Sequence, residues 1–254
     1  MQPPRAPQPP HDLAIQFGGG DFRKVGKDLV SLCVAHGGLR PDAAVLDVGC
    51  GAGRIAVALC DYLDASGRYE GFDIYPPGVE WCQRAITPLF PRFRFQLADV
   101  YNRLYYPLSS VRASEFVFPY PDDSFDFAVL NSVFTHMRPA DVENYLKQVH
   151  RVLRPGGGCL ITFFLLNEQT RERIAAGAAK WRFEHAFGVF HTHSLEDPEE
   201  VVAYDEAFIR KLFAQKGFDI SRQIYGNWRG IRSGTHQDMV FAVRRPGTSS
   251  PEAG

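Results

Sequence analysis

The 254-residue chain lacks any apolar run of the roughly 18 residues a membrane-spanning helix needs, so no span is expected. Its first twelve residues, MQPPRAPQPPHD, lack the apolar stretch of a secretory signal. It also lacks an excess of one charge: 28 Lys and Arg stand against 29 Asp and Glu, for a formal net charge of −1. Nucleic acid and anionic membrane surfaces are therefore not expected as partners. The five cysteines (Cys33, Cys50, Cys60, Cys82 and Cys159) form no CxxC pair and are odd in number. That pattern suits buried, reduced thiols in a cytoplasmic protein better than a disulfide framework or a zinc site. No internal repeat is visible, and a homo-oligomer is compatible with the sequence.

What is present reads as one globular α/β domain over 13–245, with Pro-rich or small-residue tails expected to be disordered at 1–12 and 246–254. Apolar residues make up 45% and charged residues 22%, which are globular proportions. Strand-like and helix-like segments alternate along the middle of the chain. A helix over 21–36, opened by Asp21 and closed by Gly37-Gly38, precedes a buried strand at 43–49. A helix at 54–62, a strand at 69–74 and a helix from Pro76 to about Leu89 follow. Then come strands at 93–98 and 125–132, a helix over 139–153 stopped by Arg154-Pro155-Gly156-Gly157, and a strand at 158–166. Such alternation predicts a mostly parallel sheet with helices on both faces. Residues 167–203 interrupt the pattern. They are rich in aromatics and histidine and predict a partly helical lid insert after the fifth strand. A helix at 204–217 and two strands, FDISRQIY and DMVFAVR, complete the chain, and their short connection predicts an antiparallel pair.

The chemistry concentrates in VLDVGCGAGR, residues 45–54. A buried strand runs into Gly49-x-Gly51-x-Gly53 and then into a helix. Glycines there allow a tight turn and close approach of backbone to a ligand. Asp73 ends the next strand, where a carboxylate can accept both hydroxyls of an adenosine ribose, and Asp99 ends the third. Ligands of open α/β sheets sit at these strand ends. Two cofactor classes fit so far, NAD(P) and S-adenosylmethionine (SAM). The spacing is GxGxG, with Arg54 where a dinucleotide fingerprint would place its third glycine. Asp47 would sit poorly beside a pyrophosphate and well beside the cationic amino-acid end of SAM.

At this point the chain resembles the class I SAM-dependent methyltransferases, close to the broad group called type 11. VLDVGCGAGR, YEGFDI, FQLADV, FPYPDDSFDFAVLNSVFTHM and HRVLRPGGGCLITF are similar to its successive motifs, and FGGGDF (17–22) to its cofactor-covering segment. The resemblance implies a Rossmann-like fold: a mostly parallel seven-stranded sheet with an antiparallel last strand. It implies that Asp47, Gly49 and Gly51 hold the methionine part of SAM, Asp73 and Ile74 the ribose and adenine, and Asp99 and Val100 the adenine edge. Asn131 would line the pocket near the sulfonium. Phe17, Cys50, Gly53, Arg54 and Ser132 complete the expected cofactor contacts. The stretch 101–117 departs from the shortest family members.

A small-molecule acceptor is expected, most plausibly a hydroxyl oxygen of a glycan or secondary metabolite. A hydroxyl needs a general base. His136, after the fourth strand, is the first candidate, and His191 and His193 in the lid are the others; each also has a plain packing role open to it. The H-x-H pair has no third ligand at a suitable spacing, so no metal is expected. The alternatives are an NAD(P)-dependent oxidoreductase, against which stands the missing Tyr-x-x-x-Lys pair, and a noncatalytic SAM-binding module, against which stand intact Asp47, Asp73 and Asp99.

Overall fold

The computed structural model describes residues 5–103 and 105–246. Seven strands form the main sheet: β1 (Ala44–Val48), β2 (Arg68–Asp73), β3 (Phe93–Leu97), β4 (Phe125–Leu130), β5 (Leu153–Phe163), β10 (Phe218–Ile224) and β11 (Asp238–Arg244), in the order β10-β11-β5-β4-β1-β2-β3. All neighbouring pairs are parallel except those made by β11, which is antiparallel to both β5 and β10. The expected sheet, with its antiparallel last strand, is therefore present.

β1 is buried throughout, and its side chains divide between the faces as a pleated strand demands. Leu46 and Val48 join one apolar cluster with α5 (Pro139–Val152) and α7 (Glu206–Gln215). Val45 joins the opposite cluster with α2 (Phe22–Gly37), α3 (Arg54–Leu59) and α4 (Pro76–Ala85). Asp21 caps α2 by accepting from Lys24 N–H, and Gly38 ends it in the left-handed region at φ 74°. Gly26 makes the α2–α3 packing close: a Cβ there would lie 2.5 Å from the Arg54 carbonyl oxygen.

Two expectations change. The N-terminal tail expected over 1–12 is ordered in part, since α1 (His11–Gln16) begins within it. Ala6 is buried and its carbonyl accepts from Arg23. Residues 1–4, and the expected tail beyond Pro246, lie outside the described residues. The insert is partly helical, as expected, and also carries strands that were not expected. After α6 (Glu168–Ala175), the strands β7 (His185–Phe187), β8 (Phe190–Thr192) and β9 (Val202–Asp205) join β6 (Leu165–Leu166) in a second sheet, ordered β6-β9-β8-β7. β7 and β8 turn through Gly188-Val189, with Gly188 at φ 68°, as a two-residue hairpin with glycine first requires. Because Val202–Asp205 are taken by β9, α7 starts at Glu206 rather than at Tyr204.

Candidate cofactor cleft

The ends of β1, β2 and β4 open onto a cleft of about 1060 Å³. Gly49 and Cys50 turn the chain out of β1, and both donate their N–H groups to the Phe72 carbonyl of β2. Gly49, Gly51 and Gly53 hold φ values of 75°, 53° and 76°, a region side chains rarely tolerate. The space is also taken: a Cβ on Gly49 would lie 2.6 Å from Val133, and one on Gly51 2.6 Å from the Phe17 ring.

Asp73 closes β2 beside this turn. Its Oδ2 accepts from Gly51 N–H at 2.7 Å and its Oδ1 from Tyr75 N–H at 2.8 Å. With a further backbone bond from Ile74, the carboxylate is fixed in orientation and keeps lone-pair capacity to accept. Burial raises its pKa and these backbone bonds oppose the rise. Asp47 lies deeper. It is 1% exposed, and Tyr69 donates to its Oδ2 at 2.7 Å. Burial pushes its carboxyl up to about 7.

The segment before α2 folds over the glycine loop. Phe17 lies against Gly51 and meets Tyr75 edge-on at 5.6 Å between ring centres. Arg54 reaches back to donate to the Gly18 carbonyl at 2.7 Å and packs over the Phe22 ring. Ile74, Val100, Asn131 and Ser132 also line the cleft. Ser132 sits at φ 61°; its N–H donates to Thr162 and its hydroxyl to Gln237.

His136 ends a 3-10 turn after β4 and lines the same cleft. Its Nδ1 is 3.2 Å from the Glu199 carbonyl oxygen. A carbonyl only accepts, so Nδ1 carries the proton and Nε2 of the neutral ring keeps its lone pair. Burial lowers its pKa ahead of the opposing carbonyl contacts, which favours that neutral form.

Four sequence-expected residues lie outside this wall. Gly53 is the left-handed entry to α3, and its missing Cβ leaves room for Cys82. Asp99 is exposed, because alternation past β3 turns Ala98 and Val100 inward and Asp99 outward. His191 is buried in β8 of the lid sheet, against Arg171 at 3.3 Å and Asp205 at 3.5 Å. His193 packs edge-on against Trp181. Neither histidine is among the residues that line the cleft. Conversely, sequence reading missed Tyr75, Arg103, Arg112, Asp141 and Glu199, all in the cleft wall. The anomalous stretch 101–117 signalled the two arginines, and the helix start at Pro139 signalled Asp141, which accepts from Arg138 N–H. Among the described residues, no cluster of His, Cys, Asp or Glu fit for a metal and no helix fit to cross a membrane are found.

Residues 45–157 match the family model described as a methyltransferase domain. This stretch is thus similar to methyltransferase domains. It covers the glycine loop, Asp73 and His136, whereas the lid lies beyond it. A demethylmenaquinone methyltransferase of Lysinibacillus sphaericus is 25% identical over 122 residues, 48% of this chain and 44% of that protein. The chain thus spans less than half the length of that relative. The Burkholderia thailandensis 1,6-didemethyltoxoflavin-N1-methyltransferase, solved with its substrate and S-adenosylhomocysteine, shares the fold with a TM-score of 0.57 at 18% identity, over 93% of this chain and 84% of that one. The [4+2]-cyclase SpnF shares it too, with a TM-score of 0.59 at 18% identity over 90% and 84%. The methyltransferase fold therefore accommodates other reactions, and the site must argue for the chemistry.

Proposed function

We propose that this protein binds SAM and transfers its methyl group to a hydroxyl oxygen of a small molecule. The observation that carries the reading is the coupling of the glycine turn to Asp73, whose two oxygens are aligned by Gly51 and Tyr75 amides. SAM supplies an electrophilic methyl group on a sulfonium, so the protein's task is alignment, shielding and handling of one proton.

Asp73 would accept the ribose hydroxyls. Ile74 and Val100 offer apolar surface to the adenine. Gly49 and Gly51 let the methionine portion approach the backbone, and buried Asp47 provides the charge that suits an ammonium. Phe17 covers this end from the N-terminal side. A cleft of about 1060 Å³ exceeds the usual size of a single-ligand pocket, which leaves room for an acceptor beside the cofactor.

His136 is the residue suited to remove the acceptor proton. It is held as the Nδ1–H tautomer by a lid carbonyl, with a lowered pKa that keeps Nε2 unprotonated near neutrality. The test is methyl transfer from isotopically labelled SAM into pools of hydroxylated small molecules. Label in an acid-stable, base-stable ether supports O-methylation. Label only on nitrogen or carbon contradicts the oxygen assignment.

A further inference from the structure

Two walls of the cleft come from outside the sheet: residues 101–103 and 105–114 after β3, and residues 197–199 between β8 and β9. They meet each other and the start of α5. Arg103 donates to the Glu196 carbonyl at 3.1 Å, Arg138 pairs with Glu199 at 2.8 Å, and Asn144 of α5 donates to the Ala113 and Phe116 carbonyls. This part of the cleft mixes Ser109, Ser110, Ser114 and the arginines with the aromatic side chains of Tyr101, Tyr105 and Tyr145.

Four arginines line the cleft, and they differ in how their charge is met. Arg54 is spent on Gly18 and Phe22, and Arg138 on Glu199. Arg103 and Arg112 take part in no ion pair with a described carboxylate. Asp141 accepts from the backbone N–H groups of Arg138 and Ser114 and lies near enough to Arg112 and Arg138 for both to oppose the rise in pKa that burial causes, without forming a salt bridge to Arg112. Asp197 is accounted for differently, since it stands close enough to His136 to raise that ring's pKa. The cleft therefore holds two guanidinium groups outside any salt bridge, Arg103 with one N–H on the Glu196 carbonyl and Arg112 near Asp141, together with the neutral histidine.

We propose that Arg103 and Arg112 bind an oxyanionic group of the acceptor, so that the acceptor is a small hydroxylated acid. Guanidinium forks match carboxylate and phosphate oxygens, and the match strengthens where water is displaced. This assignment rests on the reading of the cleft as a SAM site, because it takes the glycine-loop end as occupied by the cofactor.

The experiment is ligand-observed NMR titration of the full chain loaded with S-adenosylhomocysteine. The probes are protocatechuate beside its primary amide, and phenyl phosphate beside phenol. Wild type is compared with R103Q, R112Q and the double variant; all these side chains are exposed, so the fold should be retained. We expect at least one acid to bind about tenfold or more tighter than its neutral partner, and the preference to vanish in the double variant. The two probe pairs separate a carboxylate from a phosphate as the preferred anion. Equal binding of acid and neutral forms, no binding of either acid, or a preference that survives in the double variant overturns the proposal. S-adenosylhomocysteine affinity is measured in the same samples. Good cofactor binding without acid preference refutes the arginine assignment alone, whereas absent cofactor binding refutes the methyltransferase reading. In that case the acid preference is still read on the unloaded protein.

Discussion

Tyr69 donates its hydroxyl to Asp47 Oδ2 at 2.7 Å, between adjacent parallel strands and with both side chains buried. The tyrosine ring is locked by stacking on Phe93, 5.2 Å away. Burial lifts the Asp47 carboxyl to about 7, and this hydrogen bond pulls in the opposite direction. An ammonium beside Asp47 favours the ionised form, so SAM affinity should rise as pH climbs through about 7. Tyr69→Phe removes a hydrogen bond to a charged acceptor, worth about 1.5–3 kcal/mol. Affinity at neutral pH should fall about tenfold or more, and the rise should move to higher pH. Calorimetric titrations across that range check both effects; a pH-independent affinity in wild type contradicts them.

The same carboxyl burdens the unliganded fold. Its folded pKa lies above the unfolded aspartate value of about 3.9, so the folded state holds the proton more tightly. Stability is then greatest below about pH 4, declines as pH rises toward about 7, and is flat above, as far as this group decides it. Asp47→Asn should therefore melt higher than wild type at alkaline pH, with the gap closing in acid, while binding SAM poorly. Thermal melts over a pH series measure this. A variant less stable than wild type at alkaline pH would count against the assignment.

Gly51→Ala places a Cβ within 2.6 Å of the Phe17 ring at a φ of 53°. The left-handed conformation adds roughly 1–2 kcal/mol of strain. Cofactor affinity should drop at least tenfold in a protein that still folds. Combining it with Phe17→Ala should relieve the clash and recover part of the melting temperature, leaving the backbone strain, but keep affinity low, because the cover is then missing.

His136→Gln should reduce turnover by about 10²-fold or more, the ordinary range for general acid–base catalysis. S-adenosylhomocysteine affinity should barely change, since the ring contacts the lid carbonyl rather than the glycine loop. Unchanged turnover removes the histidine from the reaction.

Asp238 joins the main sheet to the lid layer. It is fully buried and accepts from Leu165 N–H, Gly226 N–H and Trp228 Nε1. Asp238→Ala strands three donors and should destabilise the fold by about 3–5 kcal/mol. Denaturant titration gives the value; a loss below about 1 kcal/mol would mean that water replaces the carboxylate.

The features legible in sequence were those specified locally. The strand–GxGxG–helix unit, Asp73 at the end of β2 and the antiparallel β11 each follow from short-range pattern and loop length. The lid was harder because its strands are three or four residues long, too short for a period to register, and its one turn signal is the Gly188-Val189 pair. Asp99 looked like Asp73 by position, yet one residue of alternation turned it to solvent. His191 and His193 share a segment with the cleft-forming Glu199, and only the tertiary path of the chain separates them. Arg103 and Arg112 could not be placed from sequence, since their proximity to the cleft depends on contacts with α5 and residue 196.

The most direct test is a calorimetric titration of the purified protein with SAM, S-adenosylhomocysteine and NAD in turn. The account predicts single-site binding of the first two in the micromolar range and none of the third, with affinity lost in Asp73→Ala. Binding of NAD, or SAM binding that is indifferent to Asp73, would contradict it.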